Sequence, residues 1–284
     1  MKKILFLAAA ATALFFTASC DKTSSSTSGV VLPAPQQAAQ AKKLLLDSSS
    51  SNPGIEFVEF TESGRYIVRN QIIKADESVE FIRGLYTVSG NVYTLNGFGT
   101  VTINGNQVTI KRTGGEDIVV SFTEAPTFPA NDFYTTLARA WRIDKTDISV
   151  SFDGKTSVGV VKDGCDIPAI LKELEQKGNI DLKDEAVAGY VVKEINFTMA
   201  KTVEIAFTSK PSLVGTMSLS ENGKINYELS GTIGIELFSG KASGTINTNP
   251  GLGKNQIEFS LDAEVSSNSK TYKGKVRFIL SPAQ

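Results

Sequence analysis

Apolar and polar positions alternate with a period of two along much of the chain after Ile55, most cleanly near its C-terminus. Ile257, Phe259, Leu261, Ala263 and Val265 fall on one side of an extended segment, and Glu258, Ser260, Asp262 and Glu264 fall on the other. Tyr272, Gly274, Val276, Phe278 and Leu280 repeat the pattern. Side chains of a strand point alternately to its two faces, so each segment predicts a strand with one apolar and one wet face. Strands of that kind suit a meandering antiparallel sheet, and curling the sheet into a barrel removes its exposed edges.

Turn residues set the expected register. A two-residue Gly90-Asn91 turn pairs Val88 with Tyr93 and Tyr86 with Leu95, which places all four on one face. An Asn104-Gly105 turn is expected to set Val101 opposite Val108 and to leave Thr102 and Gln107 on the other face. These hairpins predict an N-terminal β-meander domain over residues 55–123. Pro126 and Pro129 then interrupt the pattern, and a C-terminal domain is expected over residues 131–284. Within it, a two-residue Asn222-Gly223 turn would scatter apolar residues over both faces. A three-residue loop with Gly223 in the left-handed conformation instead sets Leu219 opposite Ile225 and Met217 opposite Tyr227, and is the expected form.

Helical spacing is rarer. Phe133, Leu137 and Trp141 recur every four residues and predict a short helix within Asn131 to Ala140, feeding a strand from Trp141 to Phe152. The strongest helix follows Asp166 as cap: Pro168 sits in the permitted first turn, Ile167, Ile170, Leu171 and Leu174 form a stripe, and Gly178 ends it. Gln36 to Leu46, after Pro35, is a third and marginal helical segment, because a helix so short needs packing to persist.

The start of the chain has a different logic. Lys2 and Lys3 precede an apolar run from Ile4 to Phe16 and then Thr17-Ala18-Ser19-Cys20. A positive region, an apolar stretch too short to span a bilayer comfortably, and small residues before the cut make residues 1–19 a secretory signal peptide. Small residues directly before a cysteine resemble the bacterial lipobox, with Thr17 where leucine is commonest. The motif predicts lipidation of Cys20, which becomes the first residue of the mature protein. Residues 20–54, rich in Ser, Ala, Gln and Pro, are then expected to be a flexible tether. The resulting expectation is a lipid-anchored protein of the cell envelope, in the outer membrane, held there by acyl chains and by no further membrane-spanning helix.

Composition narrows the chemistry. A formal net charge of -1, from 29 basic and 30 acidic residues, gives no electrostatic footprint for nucleic acid. The chain has two cysteines, so lipid on Cys20 leaves Cys165 without an intramolecular disulfide partner; it reads as a small buried hydrophobe at a helix start. There is no histidine, which excludes imidazole-based triads and imidazole metal sites. Gly251-Leu252-Gly253-Lys254 lacks the first glycine and the closing Ser or Thr of a phosphate loop and reads as a hairpin turn. Ser267 and Lys270 have the spacing of some acyl-enzymes but join two strands, where that chemistry needs one helical turn. Asp144, Asp147, Asp153, Asp163 and Asp166 lack the spacing of a helix-loop-helix calcium site. No catalytic residue, metal ligand or cofactor motif is assigned.

Ala140-Trp141-Arg142-Ile143 opening a strand, a helical insertion, Ile195-Asn196-Phe197-Thr198 and the hairpins that follow resemble the lipocalin-like lipoproteins of uncharacterised function from Bacteroidetes-type bacteria. The resemblance covers roughly Phe133 to Leu280. It implies a lipocalin-like β-barrel with an interior able to hold a ligand and a Trp141 that plugs one end; the one helical insertion departs from the simplest lipocalin pattern, and no functional residues carry over. The expected fold is therefore mainly β, with two antiparallel β domains. Trp141, Tyr190, Tyr227, Phe259, Tyr272 and Phe278 are candidates to line a cavity for a small apolar ligand, with side-chain filling of the core as the plainer reading. The expected function is non-enzymatic binding of a small apolar ligand or an envelope protein. A structural subunit of an envelope complex and a carboxylate-based polysaccharide hydrolase are the alternatives.

Overall fold

The structure, a computed structural model, describes residues 32, 35–47, 54–70, 81–152, 156–178, 189–220, 223–233, 236–248, 255–267 and 270–283. The expected signal peptide, Cys20 and the first part of the expected tether lie outside these residues. The fold is mainly β and contains two closed eight-stranded antiparallel barrels. The chain divides into two compact units, one taking Pro33–Arg139 with Phe197–Lys201 and the other Ala140–Asn196 with Thr202–Gln284.

The first unit holds β1 (Lys42–Leu46), β2 (Ile55–Phe60), β3 (Arg65–Asn70), β4 (Phe81–Ser89), β5 (Val92–Leu95), β6 (Gly99–Asn104), β7 (Gln107–Arg112) and β8 (Asp117–Glu124). Each strand pairs with the next, and β8 pairs with β1 to close the ring. The meander is thus a barrel. Its interior is filled by side chains: Phe60 stacks on Tyr93 at 4.0 Å and meets the edge of Tyr86 at 5.2 Å. Two tyrosines satisfy their hydroxyls on turn carbonyls, Tyr66 donating to Asn96 O at 2.9 Å and Tyr86 to Thr61 O at 3.2 Å. Burial therefore leaves neither phenol without a partner.

Two expectations for this unit are corrected. Residues 42–46 belong neither to a flexible tether nor to a helix over Gln36 to Leu46. Ala38–Gln40 form one 3-10 turn, and Lys42–Leu46 are β1, bonded to both β2 and β8. Leu44 and Leu46 are buried in the barrel by this pairing. Two ladders of backbone hydrogen bonds and that burial outweigh a helix too short to persist alone. The second correction concerns register. Val88 pairs with Tyr93 and Tyr86 with Leu95 as expected, but Val101 pairs with Ile110 and Val108 with Ile103. The second turn is Gly105-Asn106. Gly90 and Gly105, with φ of 60° and 59°, each take the first central position, as a type II′ turn requires. Asn104 stays in its strand, where its side-chain oxygen accepts from Asn91 Nδ2 at 2.7 Å.

Helix α1 (Asp132–Leu137) follows, capped by Asn131, whose side-chain oxygen accepts from Tyr134 N at 3.0 Å. It belongs with the first unit, so the division falls between Arg139 and Ala140 rather than at Pro126 and Pro129. The reason is packing: Tyr134 stacks on Phe128 at 4.6 Å, and Phe128 N donates to Met199 O at 2.8 Å.

The second unit holds β9 (Ala140–Phe152), β10 (Thr156–Asp163), β11 (Cys165–Asp166), helix α2 (Ile167–Gly178), β12 (Val191–Phe197), β13 (Thr202–Phe207), β14 (Leu213–Leu219), β15 (Lys224–Ile233), β16 (Glu236–Asn247), β17 (Ile257–Ser267) and β18 (Lys270–Pro282). The ring runs β9-β18-β17-β16-β15-β14-β13-β12 and closes where β12 meets β9. That seam is short: Glu194 faces Arg142, Ile195 faces Trp141 and Asn196 faces Ala140. Farther along, β9 gives the same edge to β10. Leu219 faces Ile225 and Met217 faces Tyr227, as expected, and Gly223 has φ of 81°.

A bulge at Asp144 shifts the pairing of β9 with β18 from Ile279↔Lys145 to Leu280↔Ile143. The alternation changes phase there, so Trp141 and Ile143 are buried before it, and Thr146 and Ile148 after it. Asp144 itself is pinned by Ser281 Oγ at 2.9 Å, Gln256 Nε2 at 3.0 Å and Arg142 Nη2 at 3.0 Å. Partial burial pulls its pKa up, but these hydrogen bonds win and hold the carboxyl below its ordinary value. Helix α2 starts on Asp166, whose Oδ1 accepts from Ala169 N at 3.0 Å, and buries Ile167, Ile170, Leu171 and Leu174. Its Lys177 donates to Gly159 O at 3.2 Å on β10. A helix thereby supplies a donor to the strand that lies outside the ring.

Candidate functional site

The sequence-predicted residues do not form one described site. Trp141 is fully buried at the closing seam, opposite Ile195 and Pro282. Tyr190 is buried edge-on to Phe207 at 4.9 Å, and Phe259 and Phe278 are buried register partners with ring centroids 6.1 Å apart. Tyr227 pairs with Met217 and Ala242, and Tyr272 with Val265 and Phe152; their side chains lie outside the described residues. Cys20, Asp153 and Gly251 to Lys254 also lie outside. Ser267 and Lys270 are register partners across a hairpin, which is the wrong geometry for an acyl-enzyme pair on a helix. Cys165 is buried and free, with its thiol pushed up to about 12 by desolvation against a hydrogen bond to Thr146. A thiol with so little thiolate is a poor nucleophile. Among the described residues no group of three or more His, Cys, Asp or Glu is placed to hold a metal ion.

A polar cluster that the sequence pattern does not expose lies in the first unit. Glu59 of β2 and Glu62 of the following turn read as wet positions, yet Glu59 is fully buried and Glu62 is 5% exposed. Glu59 has Lys43 Nζ of β1 at 3.7 Å and accepts from Thr198 Oγ1 at 2.7 Å. Lys43 is itself buried, with its ammonium 4.0 Å from the Phe57 ring centroid. Glu62 Oε1 accepts from Met199 N at 3.1 Å, while its Oε2 is buried with no hydrogen-bond partner.

The turn carrying Glu62 is tightly built. Thr61 N donates to Arg65 O at 2.8 Å, Gly64 N to Thr61 O at 3.1 Å, and Arg65 N to Thr61 Oγ1 at 3.2 Å. Burial drives the Glu62 carboxyl up to about 8; hydrogen bonds from its own N–H and that of Met199 oppose the rise, and Glu59 adds to it. A buried carboxyl with one oxygen unpaired is far cheaper to keep neutral than ionised. Glu59 lies near enough to raise the proton affinity of Glu62, and what the two carboxyls hold is the Thr198 hydroxyl and the Met199 N–H. The signal available in the sequence was the acidic pair itself, three residues apart around a turn. Nothing in its spacing marked it as buried.

No protein-family model and no curated protein matches this chain. Among solved structures it is similar to the vaccine antigen Transferrin Binding Protein B from Haemophilus parasuis Hp5. A double mutant of that protein is 11% identical at a TM-score of 0.27, over 80% of this chain and 54% of that one. A single mutant is likewise 11% identical at 0.27, over 86% of this chain and 45% of that one. The chain thus spans about half the length of those proteins, and a likeness at this level assigns it neither a family nor a function.

Proposed function

We propose that this chain is a lipid-anchored protein of the bacterial outer membrane, attached through Cys20, that works by binding a protein partner rather than by catalysis. The observation that carries the binding half is the filled interior of the first barrel, where Phe60, Tyr86 and Tyr93 are in ring contact. A packed barrel meets other molecules through its outer faces, and Leu85 and Val119 are exposed there at 59% and 47%. The acidic pair Glu59 and Glu62 is engaged within the protein itself, Glu59 by the Thr198 hydroxyl and Lys43 and Glu62 by the Met199 N–H. A second reading is a small apolar ligand in the second barrel, where the buried rings of Trp141, Tyr190, Phe259 and Phe278 are the apolar groups it would meet.

The test has two arms. Cys20→Ala is expected to release the protein from membranes into the soluble fraction, and retention in the membrane overturns the anchor. Cross-linking in intact cells is expected to capture one protein that a Leu85→Lys, Val119→Lys double variant loses. Absence of any such product, with an apolar molecule found in native mass spectra of the purified protein, transfers the reading to the second barrel.

A further inference from the structure

Hairpin turns usually lie in water, and the first half of the β2–β3 turn does not. Thr61 and Glu62 are buried, and Glu62 meets the Thr198–Lys201 turn of the same compact unit through Met199 N. That second turn is built under strain. Lys201 N donates to Thr198 O at 3.1 Å, and Lys201 has φ of 62°, a conformation that costs any residue with a Cβ. Bonds that keep it seated include Thr198 Oγ1 to Glu59, Met199 N to Glu62 and Phe128 N to Met199 O. Lys201 Nζ also lies 5.5 Å from the Phe128 ring centroid.

We propose that Glu62 is a proton-operated catch, whose neutral carboxyl holds the Thr198–Lys201 turn on the first barrel and whose ionisation lets that turn open. The groups facing it set the sense of the switch. Glu59 approaches from β2 and already has Lys43 of β1 at 3.7 Å. Tyr86 of β4 donates its hydroxyl to Thr61 O, and its own proton is held more tightly through burial first and then through Tyr93 and Glu62. From the opposing turn the charged residue is Lys201, which lies over Phe128. An ionised Glu62 would therefore put a second negative carboxylate against Thr198 and Met199, with an unpaired buried oxygen. Opening exposes that oxygen to water and removes the cost.

The direction follows from linkage. The closed form keeps its proton up to about 8, whereas an opened, solvated carboxyl loses it near the ordinary value of 4.5. Between those limits each pH unit favours the open form by a factor of about ten, and the effect levels off above them. At acid pH, below both values, the catch is fully closed.

Hydrogen exchange of full-length protein, read at Met199 and corrected for intrinsic base catalysis, should show opening that rises about tenfold per pH unit from about 5 to about 8. In Glu62→Gln, which keeps the acceptor for Met199 N but cannot ionise, the corrected opening should not change with pH. Equal pH dependence in the two proteins, or none in the wild type, overturns the proposal. Carbon-13 NMR of the Glu62 carboxyl in the wild type gives a reading that needs no variant. A midpoint near 8 supports the catch, and titration in the usual carboxylate range defeats it.

Discussion

The two barrels have the same strand number and reach it differently. In the first, strands run from four residues in β5 to nine in β4, and short hairpins with type II′ turns carry much of the ring. In the second, β9 and β18 are 13 residues each. A strand that long coils too far to keep one face inward throughout, and the bulge at Asp144 resets its phase. The longer strand also outruns its neighbour, so β9 shares one edge between β12 and β10, and α2 is spent on the surplus strand. Closure is cheap for short strands and needs accessory parts for long ones.

The largest test of this contrast removes one anchor from each ring. Phe60→Ala and Trp141→Ala should each cost about 3–5 kcal/mol. Calorimetry should show the first lowering one unfolding transition and the second another. If both variants shift a single common transition, the barrels do not unfold as separate bodies, and the contrast loses its thermodynamic meaning. A smaller effect compares turns. Gly105 and Gly223 both have positive φ, but a Cβ on Gly105 meets nothing within 4 Å, whereas one on Gly223 strikes the Ile246 carbonyl. Gly105→Ala should cost about 1 kcal/mol from backbone strain alone, and Gly223→Ala about 2–4 kcal/mol, measured by denaturant titration. Equal losses would mean that β16 moves freely away from Gly223. The smallest effect concerns helix caps: Asn131→Ala and Asp166→Ala should each cost about 1 kcal/mol, with the loss in the transition of the unit that owns the helix.

What the sequence made legible follows from how far a local rule constrains the answer. The Gly90-Asn91 hairpin was readable because glycine first in the turn, the strand phase and the apolar face all agree. The second hairpin was misplaced because moving the turn from Asn104-Gly105 to Gly105-Asn106 changes partners without changing faces. Val101 and Val108 point inward under either pairing, so the pattern is blind to the slip. Helix α2 was legible through its cap, stripe and terminal glycine. Strand β1 was not, since Lys42-Lys43-Leu44-Leu45-Leu46 shows no alternation and its burial depends on two neighbours distant in sequence. Glu59 and Glu62 were invisible for a related reason. A strand and the turn after it, once covered by another segment, carry acidic residues that look solvated until that segment, here Thr198 and Met199, is known.

The seam between β9 and β12 has a spectroscopic consequence. Trp141 is the chain's one tryptophan, and it stands where the second ring joins. Its emission is therefore an intrinsic reporter of that join alone, blue-shifted while Ile195 stays opposite and red-shifted once water enters. Tyrosines are plentiful in the first barrel, so excitation selective for indole separates the two rings without any label. An optical signal that follows closure of one barrel and ignores the other is already part of the protein.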